Sequence, residues 1–217
     1  LGITSAEEQP VLPKGNNLSL HLLELFTSQV AKVGMTDGIR QVLQEESDAL
    51  RAYYEQAGIL IARPAGGTSC RLAISAKGGT NAENHNHNDV GSYAVALGSE
   101  TMVGDQGGPN SYPGDYFNGD APQKYKIKGS FGHPVPVVDG RTQSSGGKAK
   151  GVVLQKEFTN EKDVFSIDYT SAYSTPNLDK LIRTFVYDRQ GEGNFTVGHN
   201  DTSRLENPGR YTSSAGY

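Results

Sequence analysis

Residues 81–108 read NAENHNHNDVGSYAVALGSETMVGDQGG, a polar loop with two histidines followed by two short apolar segments. The segments SYAVALG (92–98) and ETMVGD (100–105) are predicted to be the strands of a hairpin whose turn contains Gly98 and Ser99. Short apolar runs bounded by Gly, Asn, Asp and Ser are typical of antiparallel β-structure. The stretch therefore indicates a β fold that carries a polar, histidine-bearing loop.

Strand-like segments continue on both sides of this hairpin at a spacing of roughly ten residues, with loops rich in Gly, Ser, Asn and Asp between them. This pattern predicts a mainly β protein with the architecture of an antiparallel β-sandwich. The predicted strands are GILIARP (58–64), SCRLAISA (69–76), HPVPVVDG (133–140), GVVLQKEF (151–158), DVFSIDYT (163–170), KLIRTFVYD (180–188) and NFTVGH (194–199). The triplet His199-Asn200-Asp201, at the end of the last of these strands, is interpreted as a turn.

Helical periodicity is confined to the residues that precede Gly58. The segment LSLHLLELFTSQVAKVG (18–34) places its apolar residues at helical spacing. A second helix is predicted from Asp37, as N-cap, through Gln56. The predicted division of the chain is therefore a short α-helical lead-in over residues 1–57 and a β-sandwich domain over residues 58–217.

Composition narrows the class of protein. The chain has 217 residues, of which 35% are hydrophobic, which suffices for one domain with a real core. A net charge of −4 and a pI near 5.7 do not suggest a general nucleic-acid binder. No apolar run approaches the ~18 residues that indicate a membrane span. Cys70 is the only cysteine, which excludes an intramolecular disulfide and a cysteine-based zinc cluster.

The polar loop holds candidate metal ligands. His85 and His87 would point to opposite faces of an extended backbone, so we do not expect both to bind one ion. Asp105 follows across the predicted hairpin and His133 supplies another imidazole, and such donors suit tetrahedral zinc. The residues alone leave a second interpretation open, in which the histidines hydrogen-bond within a polar loop and Asp89 and Asp105 cap turns.

Two motifs taken together, NHNHNDVGSYAVALGSETMVGDQGG and GSFGHPVPVVDGRTQ, resemble the C-terminal β-sandwich of the heparinase II/III-like polysaccharide lyases. The shared features are a His-x-His-Asn-Asp run, an Asp before Gly, a Ser-x-x-His ahead of a Val-Asp-Gly strand, and a Gln. The similarity extends from about Tyr54 to about Val197. It implies a zinc ion, expected to be structural, bound by His87, Asp105 and His133.

The resemblance also implies a reaction. Lyases of this family cleave uronic-acid-containing polysaccharides, such as glycosaminoglycans or alginate, by β-elimination. Removal of the weakly acidic C5 proton requires that the uronate carboxylate be neutralised, and the step needs a base and an acid. His85 is implied to face the substrate cleft, as carboxylate neutraliser or base, and Tyr116 to approach the same cleft. A periplasmic or secreted location is expected on the same grounds.

One part of the family's architecture has no counterpart in this sequence. Full-length members carry their principal catalytic Tyr, and another His or Asn, on an α/α toroid domain that precedes the sandwich. Residues 1–57 could contain only a remnant of that toroid or the linker beyond it. We therefore expect the chain to be inactive or weak alone, with a missing toroid domain or a second copy as partner. The alternative is a non-catalytic carbohydrate-binding or structural sandwich module.

Basic residues are concentrated between positions 120 and 156. A polyanionic glycan would favour such a patch beside the cleft. Lysines at alternate positions also occur on solvated strand edges, where they prevent edge pairing, and this second interpretation stays open. The basic residues are Lys124, Lys126, Lys128, Arg141, Lys148, Lys150 and Lys156, against Asp120 and Asp139.

Overall fold

A computed structural model of the protein describes residues 49–104, 109, 111–203 and 212–213. Within these ranges the chain forms thirteen strands, one four-residue helix and three 3-10 turns. The strands are β1 (Arg51–Tyr54), β2 (Ile59–Ala62), β3 (Leu72–Lys77), β4 (Thr80–Asn81), β5 (Tyr93–Leu97), β6 (Glu100–Val103), β7 (Pro136–Val137), β8 (Gly146–Lys150), β9 (Val152–Phe158), β10 (Lys162–Asp168), β11 (Leu178–Asp188), β12 (Asn194–Ser203) and β13 (Thr212–Ser213), and the helix is α1 (Ala121–Lys124).

Two antiparallel sheets form a sandwich, which confirms the predicted fold class. One sheet has five strands in the order β1-β2-β3-β5-β6, and the other has four in the order β12-β11-β10-β9. Two small sheets pair β7 with β13 and β4 with β8. The predicted hairpin is present as β5 and β6, and Gly98 in its turn has a φ of 62°, a conformation that glycine adopts without steric cost.

The hydrophobic core lies between the two large sheets. Leu60 and Ile74 from the five-stranded sheet are buried together with Phe165 and Phe185 from the four-stranded sheet. The ring of Tyr93 on β5 meets Phe185 on β11 edge to face, with 5.9 Å between ring centroids. Each such side chain contributes roughly 1.5–3 kcal/mol when it is removed from water, so this interface is the main source of stability.

The predicted helix through Gln56 is wrong over residues 49–56, the part of it that the structure describes. Residues Arg51–Tyr54 form strand β1, which pairs with β2 in the five-stranded sheet. Tyr53 packs its ring against Phe165 of the opposite sheet, at 5.8 Å between centroids. Helix propensity is a weak preference that tertiary contacts override, and here the strand buries a ring that a helix would have placed elsewhere. The rest of that helix, and the predicted helix at 18–34, lie outside the described residues.

The predicted strand at 133–140 is much shorter than expected. Only Pro136 and Val137 pair with another strand, and Val138 forms an isolated bridge with Arg141. Pro134 and Pro136 have no N–H group to donate, so this segment cannot sustain a regular ladder. The interpretation of His199-Asn200-Asp201 as a turn is also wrong, because these residues continue β12 and His199 lies opposite Arg183 on β11.

Helical structure beyond Gly58 is slight, as predicted. The longest helix among the described residues is α1, which contains four residues. Within the same residues, no helix has the length and apolar character needed to cross a membrane.

Candidate functional site

An open cleft of about 690 Å³ lies where the polar loop meets the segment around α1. Strands β4 and β8 pair beside it and bring Asn81 next to Gly146. The lining includes four amides, one carboxylate, one aromatic ring, one imidazole and one amine. These belong to Asn81, Asn84, Asn86, Asn118, Glu83, Phe117, His85 and Lys128.

His85 lines this cleft, and its role towards a substrate stays a prediction. Its ring packs against that of Phe117, with 4.3 Å between centroids. The backbone of His85 is left-handed, with a φ of 58°, which is uncommon for a residue other than glycine. Left-handed residues of this kind persist only where the surrounding structure holds them, and they are concentrated at functional sites.

Gln143 holds the polar loop in place through buried hydrogen bonds. Its side chain is buried, and its Oε1 accepts hydrogen bonds from Asn81 Nδ2 and from the backbone N–H of Val90, each at 3.0 Å. Its Nε2 donates to the carbonyl of Val90 at 2.7 Å. The backbone N–H of Gln143 donates to Ser130 Oγ at 2.9 Å. The Gln of the second motif and the Asn-rich loop are therefore one hydrogen-bonded unit.

The Asn-Asp pair of the His-x-His-Asn-Asp run completes this attachment. Asn88 Nδ2 donates to the carbonyl of Gln143 at 3.0 Å and to Ser145 Oγ at 3.1 Å. Asp89 pairs with Lys77 on β3, with 2.6 Å between Nζ and Oδ1. Asn88 and Asp89 thus attach the run to the sandwich. His85 and His87 of the same run are left for other contacts.

His87 and His133 are brought together across the loop. His87 Nδ1 lies 3.0 Å from His133 Nε2, and the ring centroids are 5.1 Å apart. Two imidazole nitrogens bound to one tetrahedral zinc at about 2.0–2.1 Å would lie roughly 3.3–3.4 Å apart. The observed 3.0 Å is a hydrogen-bonding distance and is shorter than this spacing, so the two rings would have to move slightly apart to share a metal ion. The contact separates His87 from His85, which packs on Phe117.

Asp105, the third implied ligand, lies outside the described residues. Those residues contain no group of three His, Cys, Asp or Glu side chains arranged to hold a metal ion. Zinc ligation by His87, Asp105 and His133 therefore stays a prediction, supported by the convergence of the two imidazoles.

Tyr116 does not line the cleft. Its ring is only 2% exposed, and its hydroxyl is buried with no hydrogen-bond partner among the described residues. Burial, together with the neighbouring Tyr112, raises the pKa of the Tyr116 phenol, which favours the protonated form. Its neighbour Phe117 faces the cleft instead. A catalytic role for Tyr116 stays a prediction that requires the phenol to become accessible.

Lys128 is a cleft residue that sequence reasoning did not single out. Its side chain is buried, and its Nζ donates to the carbonyl of Tyr116 at 2.8 Å. The amine also lies over the rings of Tyr116 and Phe117, at 4.7 and 5.1 Å from their centroids. Burial lowers the pKa of this amine. The one available signal was its place in the basic segment, which does not distinguish Lys128 from its neighbours.

The basic segment does not form one patch. Lys124 pairs with Asp115, Lys156 pairs with Glu55 at 3.2 Å, and Lys126 lies over Phe131. Of the seven basic residues, all of which the structure describes, only Lys128 lines this cleft.

Comparison with known proteins relates the fold to one group of enzymes. No protein-family profile matches the sequence, and no curated protein matches it either. Among solved structures, the chain is similar to heparan sulfate lyase HepC from Pedobacter heparinus, with a TM-score of 0.58 and 18% identity over 84% of this chain and 27% of that one.

A mutant of the same lyase gives a TM-score of 0.59 at 17% identity, over 83% of this chain and 27% of that one. A heparinase III gives 0.57 at 13% identity, over 85% of this chain and 28% of that one. At this identity the likeness shows a shared fold. The chain spans about a quarter of the length of these enzymes.

Proposed function

We propose that this chain is the β-sandwich part of a polysaccharide lyase that cleaves a uronic-acid-containing acidic polysaccharide by β-elimination. The carrying observation is the placement of His85 in an open cleft of a fold shared with heparan sulfate lyases. The glycosaminoglycan or alginate type of substrate, and a periplasmic or secreted location, belong to the same proposal.

The chemistry of the cleft supports this assignment. An imidazole beside a bound uronate can neutralise its carboxylate or take the C5 proton, provided that it is held in place. The hydrogen bonds of Asn88 and Gln143 hold the loop that presents His85. The buried amine of Lys128 adds positive charge to the wall of the same cleft. A complete site needs a second proton-transfer group, which is not supplied at the cleft surface by Tyr116.

A structural zinc ion would be held by His87, Asp105 and His133 in this proposal. Bound there, the ion would pin the His85 loop to the segment that carries His133. Its test does not depend on activity. Purified protein should contain about one zinc per chain, and a chelator should lower its melting temperature. His87→Ala should lose both zinc and stability, whereas His85→Ala should keep both. If the purified protein contains no metal and a chelator leaves its melting temperature unchanged, the metal assignment is contradicted.

The lyase proposal is tested by incubating the 217-residue chain at high concentration with heparan sulfate and with alginate. Binding is followed by affinity electrophoresis, and elimination by the ultraviolet absorbance of the unsaturated uronate product. We expect binding and a trace of product, with the product lost in His85→Ala while binding persists. Binding without any product, unaffected by His85→Ala, would favour the carbohydrate-binding module. Absence of binding to either polysaccharide would contradict both assignments.

A further inference from the structure

Two aromatic rings beside His85 are exposed to solvent. Phe117 is 48% exposed and Tyr112 is 55% exposed. Their centroids lie 5.1 Å apart, and the centroid of the His85 ring lies 4.3 Å from that of Phe117. Three rings therefore form a continuous surface, here called the aromatic platform, defined by Tyr112, Phe117 and His85.

The platform is supported from behind by buried groups. Tyr116 meets Phe117 edge to face, with 5.2 Å between centroids and 84° between ring planes. The ammonium of Lys128 lies 5.1 Å from the centroid of Phe117, close enough for a cation–π contact. Lys128 is in turn fixed by its hydrogen bond to the Tyr116 carbonyl. The ring of Phe117 is therefore held in one orientation before any ligand binds, which reduces the entropy that binding must remove.

Polar groups surround the platform within the same cleft. Asn84, Asn86 and Asn118 line it, and each amide offers both a donor and an acceptor. The Oδ1 atom of Asn86 is buried and has no donor among the described residues. An apolar ring face with amides around it is the usual composition of a site for a small polar ligand that also has an apolar face.

We propose that the aromatic platform binds a pyranose ring, with the exposed surface of Phe117 and Tyr112 against the C–H face of the sugar and the nearby amides on its hydroxyls. A pyranose has that combination, since its axial C–H bonds form an apolar face and its hydroxyls project around the edge. This subsite rests on the proposed function, because it positions the polysaccharide against His85. Lys128 acts as a positioning residue behind Phe117.

A second exposed phenylalanine, Phe131, serves as a matched control for Phe117. Phe131 is 52% exposed and lies near a lysine, with Lys126 Nζ at 6.0 Å from its centroid. Phe131 does not line the cleft. Substitution of Phe131 therefore controls for the loss of an exposed phenylalanine as such.

The test measures dissociation constants of tetrasaccharides from heparan sulfate and alginate, and of neutral maltotetraose, for four proteins. These are the wild type, Phe117→Ala, Phe117→Tyr and Phe131→Ala, each checked for an unchanged melting temperature. We expect Phe117→Ala to weaken binding about tenfold, which corresponds to about 1.4 kcal/mol, whereas Phe117→Tyr and Phe131→Ala stay within about twofold.

The outcomes separate this subsite from the lyase proposal. Acidic tetrasaccharides that bind Phe117→Ala as tightly as wild type would overturn the platform and leave the lyase proposal standing. Binding of maltotetraose alone, weakened by Phe117→Ala, would support the platform and contradict the acidic substrate. Failure of all three sugars to bind the wild type would overturn both.

Tryptophan variants report directly on contact with the sugar and do not depend on a loss of affinity. The sequence contains no tryptophan, so Phe117→Trp places the single tryptophan of that variant on the platform, and Phe131→Trp places one away from it. Titration with the tightest-binding tetrasaccharide should change the emission of Phe117→Trp in a saturable manner and leave Phe131→Trp unchanged. Saturable binding of the tetrasaccharide without any change in the emission of Phe117→Trp would overturn the proposed contact between the sugar and Phe117.

Discussion

At the scale of single residues, the site depends on a buried amide more than on its histidines. Gln143 is 1% exposed and connects the backbone of Val90, the side chain of Asn81 and the hydroxyl of Ser130. Because these groups have no access to water, each must keep its hydrogen bond within the protein. The position of the His85 loop is therefore set by a residue about fifty positions further along the chain, as Gln143 to Val90 are 53 apart.

Replacement of Gln143 by alanine should destabilise the protein by about 2–5 kcal/mol. Loss of its side chain leaves both backbone groups of Val90 buried without their partners, and each such group costs about 1–3 kcal/mol. Asn81 Nδ2 also loses one hydrogen bond but keeps the one to the Ser144 carbonyl at 2.8 Å. Urea unfolding provides the measurement. Gln155→Ala is the control, because Gln155 is exposed on β9 and bonds only to Glu157 there, so its cost should stay near 0.5 kcal/mol or less. Equal stability of the two variants would contradict a central role for Gln143.

At the scale of secondary-structure elements, buried charges join the two large sheets. Asp163 on β10 accepts from Arg51 on β1, with 2.8 Å between Nε and Oδ1, and also pairs with Arg189. Arg189 Nε and Nη2 donate to the carbonyls of Arg63 and Leu50 at 2.7 and 2.9 Å. These bonds fasten β1 as a strand of the five-stranded sheet, in the region where sequence periodicity indicated helix.

Removal of the Asp163 carboxylate should cost about 3–5 kcal/mol, because it leaves the buried guanidinium of Arg189 without its counter-charge. Asp163→Ala should therefore lower the midpoint of urea unfolding strongly. Glu55→Ala serves as control, since Glu55 pairs with Lys156 at the surface and such pairs contribute at most about 1 kcal/mol. A small effect of Asp163→Ala, comparable to that of the control, would show that the ion pairs of Asp163 with Arg51 and Arg189 do not hold the sheets together.

The pairing of β11 with β12 creates a pH-sensitive contact. Arg183 Nη2 lies 2.8 Å from His199 Nε2, although part of the histidine ring is exposed. Burial and the Arg183 guanidinium lower the pKa of His199 to about 4, against an ordinary value near 6.5. Between these values the unfolded chain binds more protons than the folded one. Stability attributable to His199 is therefore complete above about pH 6.5 and decreases as the pH falls towards about 4.

Replacement of His199 by asparagine should flatten the dependence of stability on pH within this window. Melting temperatures of wild type and His199→Asn, measured at intervals from about pH 4 to 7, should diverge in slope below about pH 6.5. Carboxylates titrate in both proteins alike, so the difference between the two curves isolates the histidine. Parallel curves would show that His199 is not held in its neutral form.

At the scale of the whole molecule, the proposed function makes the cleft one wall of a larger site. The chain covers about a quarter of the length of the heparan sulfate lyases that share its fold, and the cleft that contains His85 is open to solvent. β-Elimination needs a carboxylate neutraliser, a base and an acid around one sugar. In the proposed site, Lys128 would supply positive charge and His85 one proton-transfer group, whereas Tyr116 is buried.

The isolated 217-residue chain should therefore be a very weak lyase. Its turnover of heparan sulfate should fall below that of a full-length heparan sulfate lyase by on the order of 10²–10⁴-fold, the usual contribution of one positioned acid or base. Initial rates of unsaturated uronate formation, measured side by side at equal concentration, provide the comparison. Turnover within tenfold of the full-length enzyme would show that the sandwich carries a complete site.

The sequence by itself determined the sandwich and most of its strands, because period-2 alternation and turn residues are local signals that do not depend on distant partners. The same local signals predicted the β5–β6 hairpin, whereas His85 as a candidate cleft residue was implied by the resemblance of the His-x-His-Asn-Asp run. Only the tertiary structure decided that Arg51–Tyr54 is a strand, that Lys128 and Phe117 line the cleft, and that Tyr116 is buried beneath them. The reason is physical: these outcomes depend on contacts between residues far apart in the chain, such as Arg51 with Asp163, or on which of two adjacent rings a loop turns towards solvent.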